Sequence, residues 1–225
     1  MVDKNQDLVR TNIYQRLRSE MLSCVLKPGQ QLREKDLVER FSVSKSPVRD
    51  ALLKLETQGL VEVLPRRGYR VRRIDVSDVR DMYGLRHVLE RECTLMLIDT
   101  ASDSILRELE QYRSAPDCPA LADWITYNRA FHSHIARYCG NRRLGRITCE
   151  TLEQFDRLTY VSVSQAADLS LDTFVAEHGQ LIDAIRERNR RRAARLTREH
   201  IEASRRRVLD SLEAASIIDT NPANI

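Results

Sequence analysis

The sequence predicts a mainly α-helical protein in two parts: a small N-terminal domain of helices and one β-hairpin, then an all-helical bundle of about six helices. Three observations support this prediction. Only seven glycines and six prolines interrupt 225 residues, a composition that favours long helices over a sheet-rich fold. Strand character is confined to a short stretch between residues 60 and 71. Beyond residue 76, apolar residues recur at helical spacing without a convincing alternating strand.

Composition limits the class of protein. With 42% hydrophobic residues the chain can bury a substantial core. No apolar run approaches the roughly 18 residues that a membrane span needs. The charged segment MVDKNQDLVR lacks the apolar centre of a signal peptide, so we expect a cytoplasmic protein without a membrane partner. Five widely spaced cysteines without a Cys-x-x-Cys pair argue against a zinc ribbon or disulfide framework and predict buried thiols: Cys24, Cys93, Cys118, Cys139 and Cys149.

Three helices and a hairpin are predicted for the first part. Residues 7–26 form a helix that ends before Lys27-Pro28-Gly29, and a short second helix follows, with Leu37 and Phe41 on its apolar side. Ser46 is expected to cap the third helix, with Pro47 at its first position. Gly59 ends this helix. A strand then leads to the turn Pro65-Arg66-Arg67-Gly68 and a returning strand.

Helix, turn, helix and a hairpin with a basic tip make a winged helix-turn-helix, a shape that binds DNA through the second motif helix. Hydroxyls and cations at the start of that helix suit phosphate, and Arg49 can contact a guanine edge with two hydrogen bonds. The arginines of the turn suit the minor groove. The predicted DNA-binding residues are Lys35, Ser44, Lys45, Ser46, Arg49, Arg66, Arg67 and Gly68. The alternative is a set of ordinary solvated charges around a small helical core.

The distribution of charge agrees with this assignment. Residues 1–76 hold 16 Lys plus Arg against 10 Asp plus Glu, whereas the remainder holds 21 against 23. The basic excess therefore lies in the segment with the DNA-binding pattern, as a nucleic-acid partner requires.

The predicted domains are a winged helix-turn-helix at 1–73, a linker at 74–76 and a helical domain at 77–225. Ser77 is expected to cap the first bundle helix. The arginines from Arg186 to Arg198 and from Arg205 to Arg207 are interpreted as a solvated helix face or dimer rim, and the segment from Asp219 as a frayed tail. The six expected helices span 77–99, 103–114, 119–139, 141–164, 169–188 and 191–216.

Histidines in the second part form a pattern. Asn128 and His132 are four residues apart and share a helix face. His178 and His200 lie at similar distances from the turn that joins the last two helices, so they lie at the same height. Three imidazoles and an amide oxygen can then converge on a divalent transition metal, with Zn²⁺ the first candidate and Ni²⁺ and Mn²⁺ the others. The alternative is hydrogen-bonded core histidines. The carboxylate of Glu177 is expected to face away from this site.

The first part resembles the GntR family of bacterial transcriptional regulators. The resemblance lies in Pro28-Gly29, in the run from Val43 to Leu52 (VSKSPVRDAL), in the run from Leu55 to Val61 (LETQGLV), and in Arg67-Gly68. Lys45 stands where Arg is usual in this family, and Asp50 stands where Glu is usual. Because Lys lacks the bidentate fork of Arg, phosphate contact is the expected role of position 45.

The second part is similar to the FCD ligand-binding domain of the FadR subfamily within these regulators, and its six helices look like the VanR-type branch. In that family a metal is held by Asp or Asn, a His four residues on, and one His on each of the last two helices. Asn128, His132, His178 and His200 match this arrangement, with Asn where Asp is commoner. Arg86, in Leu85-Arg86-x-x-Leu89-Glu90, also matches; it either pairs with Glu90 on the helix surface or lines the pocket and binds a carboxylate effector.

The sequence therefore predicts a homodimeric regulator, with a repressor favoured over an activator. It is expected to read a palindromic operator and to respond to a small carboxylate. One alternative is a metal sensor in which the metal is itself the signal. Another is a metalloenzyme fused to a DNA-binding domain, and a third is a metal-free helical dimerisation module.

Overall fold

The protein is described here by a computed structural model that covers residues 4–115, 121–165 and 171–214. These residues form nine α-helices and one small sheet, which confirms the mainly α-helical class. They divide into two compact units, one up to Ile74 and one from Asp75 onwards.

The N-terminal unit has three helices and a three-stranded antiparallel sheet in the order β1-β3-β2. The helices α2 and α3 are the two motif helices, and β2 and β3 form the hairpin of the wing. The elements are α1 (Lys4–Leu22), β1 (Gln31–Leu32), α2 (Glu34–Phe41), α3 (Lys45–Thr57), β2 (Val61–Leu64) and β3 (Gly68–Val71).

Apolar side chains at helical spacing form the core of this unit. Leu17 and Met21 of α1 and Val48, Leu52 and Leu55 of α3 are completely buried. Burying each such side chain contributes about 1.5–3 kcal/mol, so this cluster holds the motif helices against α1. The face of α3 opposite this cluster is thereby left exposed to solvent.

Gly68 is fixed by the close approach of β1 to the wing. Its φ is +94°, and a Cβ at this position would lie 2.6 Å from the carbonyl oxygen of Leu32. Any other residue would push β1 away from β3, so this glycine has a packing role at the base of the hairpin. The strand β1 was not predicted because two residues carry no readable alternation.

Three sequence predictions in this unit were wrong in detail. The first helix ends at Leu22, four residues early, because the chain turns through Cys24 with a φ of 52° and this brings Leu26 into the core. The third helix begins at Lys45, and its N-cap is Ser44 and not Ser46. Pro47 is tolerated as the third residue, within the first turn, because the first N–H groups of a helix have no intrahelical acceptor.

The second unit is a bundle of six α-helices and one 3-10 helix. The helices α4, α6, α7 and α9 pack around one another, and α8 lies against α9. The elements are α4 (Val76–Thr100), α5 (Asp103–Glu108), the 3-10 helix (Leu109–Tyr112), α6 (Leu121–Arg137), α7 (Arg142–Gln165), α8 (Leu171–Arg186) and α9 (Arg190–Ala214).

The expected N-cap of α4 and the expected helix at 103–114 are both corrected. Asp75, not Ser77, is the N-cap, and its carboxylate accepts from the backbone N–H groups of Ser77 and Asp78. The helix from Asp103 becomes a 3-10 helix at Leu109, which places Tyr112 against α6. The expected breaks at residues 116–117 and 167–168 and the expected tail lie outside the described residues.

Close helix packing in the bundle depends on a glycine. A Cβ on Gly145 of α7 would lie 2.4 Å from the carbonyl oxygen of Ala136 in α6. The missing side chain lets these two helices touch along their backbones, which fixes the direction of α6 and of the side chains it presents to the interior.

The arginines near the α8–α9 turn tie helix ends together. Arg188 donates to the carbonyls of Ile98 and Ala101 at the C-terminus of α4, where a cation is favoured by the helix dipole. Arg190 pairs with Asp99, and Arg186 with Glu110. Of the cysteines, Cys93 and Cys139 are buried, Cys24 and Cys149 are half-buried, and Cys118 lies outside the described residues.

Candidate DNA-binding surface and metal centre

The N-terminus of α3 presents a compact polar surface. Ser44, Lys45, Ser46 and Arg49 are all exposed there. The hydroxyl of Ser44 makes no capping hydrogen bond, so it is available to another acceptor or donor. Hydroxyls, cations and the first N–H groups of a helix on one face are the groups that bind a phosphate backbone.

Arg49 does not extend freely into solvent. Its Nε donates to Oε1 of Glu34 at 3.1 Å, and its Nη2 donates to Oε2 of the same carboxylate at 3.0 Å. The hydrogen bond from Arg49 lowers the pKa of Glu34, and the carboxylate in turn raises the pKa of Arg49. Glu34 is not among the predicted DNA-binding residues, although an acidic residue at the start of α2 is visible in the sequence.

The wing lies beside this surface. Arg66 and Arg67 are exposed at the tip of the hairpin, and Arg66 adopts the left-handed conformation with a φ of 62°. Lys35 is exposed on α2 and lies 3.7 Å from Glu39. A groove of about 660 Å³ runs between the wing and the start of α2, lined by Gln31, Arg33, Glu34, Arg66, Arg67 and Gly68.

In the bundle, three histidines from three helices meet. His132 of α6, His178 of α8 and His200 of α9 have ring centroids 5.1–5.3 Å apart, close to an equilateral triangle. One nitrogen from each ring lies within 4.8 Å of the others. All three side chains are buried. Residue counting predicted that His178 and His200 lie at one height, and the structure brings these two side chains together with His132.

Two carboxylates fix the orientation of two of these rings. Nδ1 of His132 lies 2.6 Å from Oε2 of Glu90, and Nδ1 of His200 lies 2.6 Å from Oε2 of Glu177. Each Nδ1–H is thereby committed to a carboxylate, which leaves each Nε2 with a lone pair. The two Nε2 atoms face one another at 3.2 Å, an arrangement that a cation between them would stabilise. The expectation that Glu177 faces away is wrong, since its carboxylate holds His200.

His178 supplies a further reason to expect a ligand. Its ring is completely buried and stacks on Phe131 with centroids 4.1 Å apart. Neither ring nitrogen has a hydrogen-bond partner among the described residues. A buried imidazole without a partner costs free energy, and a metal ion in the triangle would remove that cost. The residues present therefore fit a divalent transition metal.

The electrostatics favour neutral rings at His132 and His178 and ionised carboxylates at Glu90 and Glu177, the forms suited to a metal site. Burial lowers the pKa of His132 to about 4, despite the opposing effect of Glu90, and burial lowers the pKa of His178 well below its usual value. Burial alone would raise the pKa of Glu90, but Arg86 and then His132 outweigh it and lower that pKa. The pKa of Glu177 is lowered by His200 against the effect of burial.

Arg86 lies inside the bundle and not on its surface. Its side chain is 4% exposed, Nε pairs with Glu90, and Nη2 lies 3.3 Å from Nε2 of His132. The interpretation of Arg86 and Glu90 as a surface pair is therefore wrong. The guanidinium also lies over the ring of Phe155, 4.9 Å from its centroid.

Arg86 borders a small cavity beside the histidines. The cavity has a volume of about 20 Å³, room for about one water molecule. Asn128 is half-buried and lines this cavity together with His200. The expectation that Arg207 lies on a solvated helix face is wrong: it is half-buried, stacks 4.2 Å from the centroid of Phe174 and lies 3.4 Å from Glu177. The residues that line the cavity are Arg86, Trp124, Asn128, Thr159, Ser162, Val163, Phe174, His200, Ser204, Arg207 and Val208.

His134 does not belong to the triangle. It is buried on α6, and its ring packs 4.6 Å from that of Tyr138. His134 is therefore a useful control residue on the same helix as His132. In the helices that the structure describes, none is long and apolar enough to cross a membrane.

Comparison with known proteins agrees with the two units. The family model "Bacterial regulatory proteins, gntR family" matches residues 9–71, and the model "FCD domain" matches residues 81–203. The HTH-type transcriptional repressor RspR of Escherichia coli (strain K12) is 28% identical over 199 residues, which is 86% of each chain. An HTH-type transcriptional regulator in an unstable DNA locus of Streptomyces ambofaciens is 29% identical and covers 95% of this chain and 89% of its own.

Solved structures share the fold. E. coli McbR/YncC superposes with a TM-score of 0.75 at 18% identity and covers 93% of this chain and 99% of its own. A GntR-family transcriptional regulator from Pseudomonas syringae pv. tomato str. DC3000 is 28% identical with a TM-score of 0.55, and covers 93% of this chain and 88% of its own. The chain belongs to the GntR family of bacterial transcriptional regulators, in the group with an FCD domain, and it is a DNA-binding regulator and not an enzyme.

Proposed function

We propose that this regulator is a cytoplasmic repressor that binds a palindromic operator as a homodimer and is controlled by a small organic acid beside a metal ion. Residues 1–73 would bind DNA, 74–76 would link the parts, and 77–225 would bind the effector and form the dimer. The single observation that carries the proposal is the buried histidine triangle, in which His178 lacks any hydrogen-bond partner among the described residues.

The proposed DNA contacts divide by chemistry. Ser44, Lys45 and Ser46 would bind phosphate at the N-terminus of α3, and Arg49 would read a base in the major groove. Arg66 and Arg67 would enter the minor groove, with Gly68 holding the wing in place. Lys35 would contact the backbone from α2. These assignments are supported by the exposure of all these cations on one unit with a basic excess.

The proposed metal ligands are His132, His178 and His200, with the amide oxygen of Asn128 as a fourth. The metal would supply a positive charge that attracts a carboxylate, with open positions for its oxygens. Glu90 would keep the ring of His132 in the Nδ1–H tautomer, and Glu177 would do the same for His200, as carboxylate partners of metal-binding histidines do. Zn²⁺, Ni²⁺ and Mn²⁺ are all compatible with imidazole and amide donors.

The proposed effector site uses Arg86. In this structure its Nη2 lies beside Nε2 of His132, the nitrogen offered to the metal. When that nitrogen is a ligand, Arg86 loses this neighbour and its Nη2 can donate to a carboxylate instead. Arg86, His132 and His200 lie in α4, α6 and α9, so effector binding would alter the contacts among these three helices. An effector that binds one arrangement of the dimer more tightly than another would favour that arrangement.

A second candidate function is metal sensing without an organic effector. The observation that favours it is the size of the cavity, which holds about one water molecule and no organic acid as it stands. In that case occupancy of the histidine triangle would itself be the signal.

One experiment distinguishes the two candidates. Operator affinity is measured for protein stripped of metal, for metal-loaded protein, and for metal-loaded protein with a panel of carboxylic acids. Our proposal requires that the metal-loaded protein binds DNA and that at least one acid releases it. If the metal alone raises or lowers the affinity of the protein for operator DNA, and no acid changes that affinity, the result supports metal sensing. An identical affinity under all three conditions contradicts both.

A further inference from the structure

The contact between Glu34 and Arg49 suggests a role for an acidic residue on the DNA-binding surface. Glu34 is the first residue of α2, and Arg49 lies one turn into α3. The carboxylate accepts from Nε and from Nη2, so it binds one side of the guanidinium in the bidentate manner. The pair leaves Nη1 and the second hydrogen of Nη2 pointing away from Glu34.

That remaining edge has a specific use. Two parallel N–H donors from the end of a guanidinium match O6 and N7 of guanine in the major groove. The side chain of Arg49 is 58% exposed, whereas that of Glu34 is 23% exposed. Arg49 is therefore the more exposed partner of the pair, and its free edge lies on the side away from Glu34.

A third residue restrains the carboxylate. The hydroxyl of Tyr69 lies 3.5 Å from Oε1 of Glu34, a long contact, and Tyr69 is buried in β3 of the wing. Glu34 also lies at the N-terminus of α2, where the helix dipole stabilises a negative charge. Its position is thus set by α2 and the wing together, and it transmits that position to Arg49.

We infer that Glu34 is a positioning residue for base recognition: it holds the guanidinium of Arg49 by its Nε–Nη2 side, so that the opposite edge is preset for a guanine. The inference rests on the proposed role of Arg49 in reading a base. An arginine that is already ordered loses less side-chain freedom on binding, which favours the specific complex.

A positioning role for Glu34 predicts the opposite result to charge repulsion between its carboxylate and DNA. A carboxylate near DNA repels phosphate, so its removal should tighten binding to any duplex. If Glu34 positions Arg49, its removal should weaken binding to the operator while binding to random duplex is unchanged or tighter. The two effects have opposite signs and can be separated.

The test uses the full-length protein and a probe found by selection from a random duplex library. We compare the wild type with Glu34→Gln and with the control Glu39→Gln, which alters an exposed carboxylate on the same helix. For Glu34→Gln we expect about a tenfold loss of affinity for the selected site, a loss of discrimination at one G·C pair in each half-site, and unchanged or higher affinity for random duplex. Glu39→Gln should keep the wild-type preference.

A double variant shows whether the effect passes through Arg49. In an Arg49→Ala background, Glu34→Gln should cause no further loss of discrimination, and retained binding to random duplex shows that each variant is folded. The inference is overturned if Glu34→Gln tightens binding to selected and random duplex by the same factor, or if its loss persists in full without Arg49. If Arg49→Ala itself keeps the wild-type preference, the proposed recognition residue is wrong and this inference with it.

Discussion

Replacement of Glu90 by alanine should destabilise the protein strongly. Glu90 is 5% exposed and lies between Arg86 and His132, with contacts to both. Its removal leaves the guanidinium of Arg86, whose side chain is 4% exposed, without its carboxylate in a buried site. Breaking a buried ion pair on one side costs about 3–5 kcal/mol.

This cost can be measured by urea or thermal unfolding. For a chain of this length each kcal/mol lowers Tm by about 2–4 °C, so Glu90→Ala should lower it by roughly 6–20 °C. Glu92→Gln is the matched control: Glu92 lies two residues further along α4, is about half exposed, and lies 3.6 Å from Arg91. An exposed pair of this kind contributes about 0–1 kcal/mol, so Tm should hardly change.

A double variant separates stability from function. Replacing Arg86 by methionine together with Glu90 by leucine removes both charges, and apolar replacements of a buried pair are often neutral or stabilising. We expect this variant to recover most of the stability lost in Glu90→Ala but to lack a response to carboxylates. A loss of less than about 1 kcal/mol in Glu90→Ala would refute the reasoning, because Arg86 would then have another partner or access to water.

Three further predictions concern the two sites. Lowering the pH from 7 to 5 should destabilise the metal-free protein by about 2 kcal/mol through His132. The pKa of His132 is about 4 in the folded protein and near 6.5 in the unfolded chain, so stability is lost as the pH falls through that interval. A series of urea midpoints that does not change between pH 7 and pH 5 would contradict this prediction. Glu177→Gln should weaken metal affinity about 10–100-fold by loosening His200, and a competition assay with a chelator that finds no change would exclude this orienting role. Arg49→Ala should abolish specific operator binding without altering the circular dichroism spectrum, and unchanged gel-shift affinity would remove it from the recognition surface.

Much of the fold could be predicted from local patterns. Helical apolar spacing predicted the number and approximate bounds of the bundle helices, because each helix buries one face. The hairpin was found from its turn residues. The strand β1 and the change to a 3-10 helix at Leu109 were missed because both depend on tertiary contacts, with the wing and with α6 respectively.

The candidate sites were predicted only in part, for a related reason. The antiparallel α8–α9 pair placed His178 and His200 at one height by counting residues. Counting could not show that Glu90 and Glu177 hold the rings, since this depends on the rotation of three helices about their axes and on side-chain direction. The pairing of Glu34 with Arg49 likewise joins residues 15 apart on two helices, and no local periodicity reports such a contact.

Elemental analysis of the purified protein shows whether the histidine triangle holds a metal ion. The wild type is compared with His178→Ala and with His134→Ala, a control that removes a buried histidine outside the triangle. The account predicts about one transition-metal ion per chain in the wild type and in His134→Ala, and none in His178→Ala. A wild type that contains no metal and takes none up on reconstitution with Zn²⁺, Ni²⁺ or Mn²⁺ would contradict it.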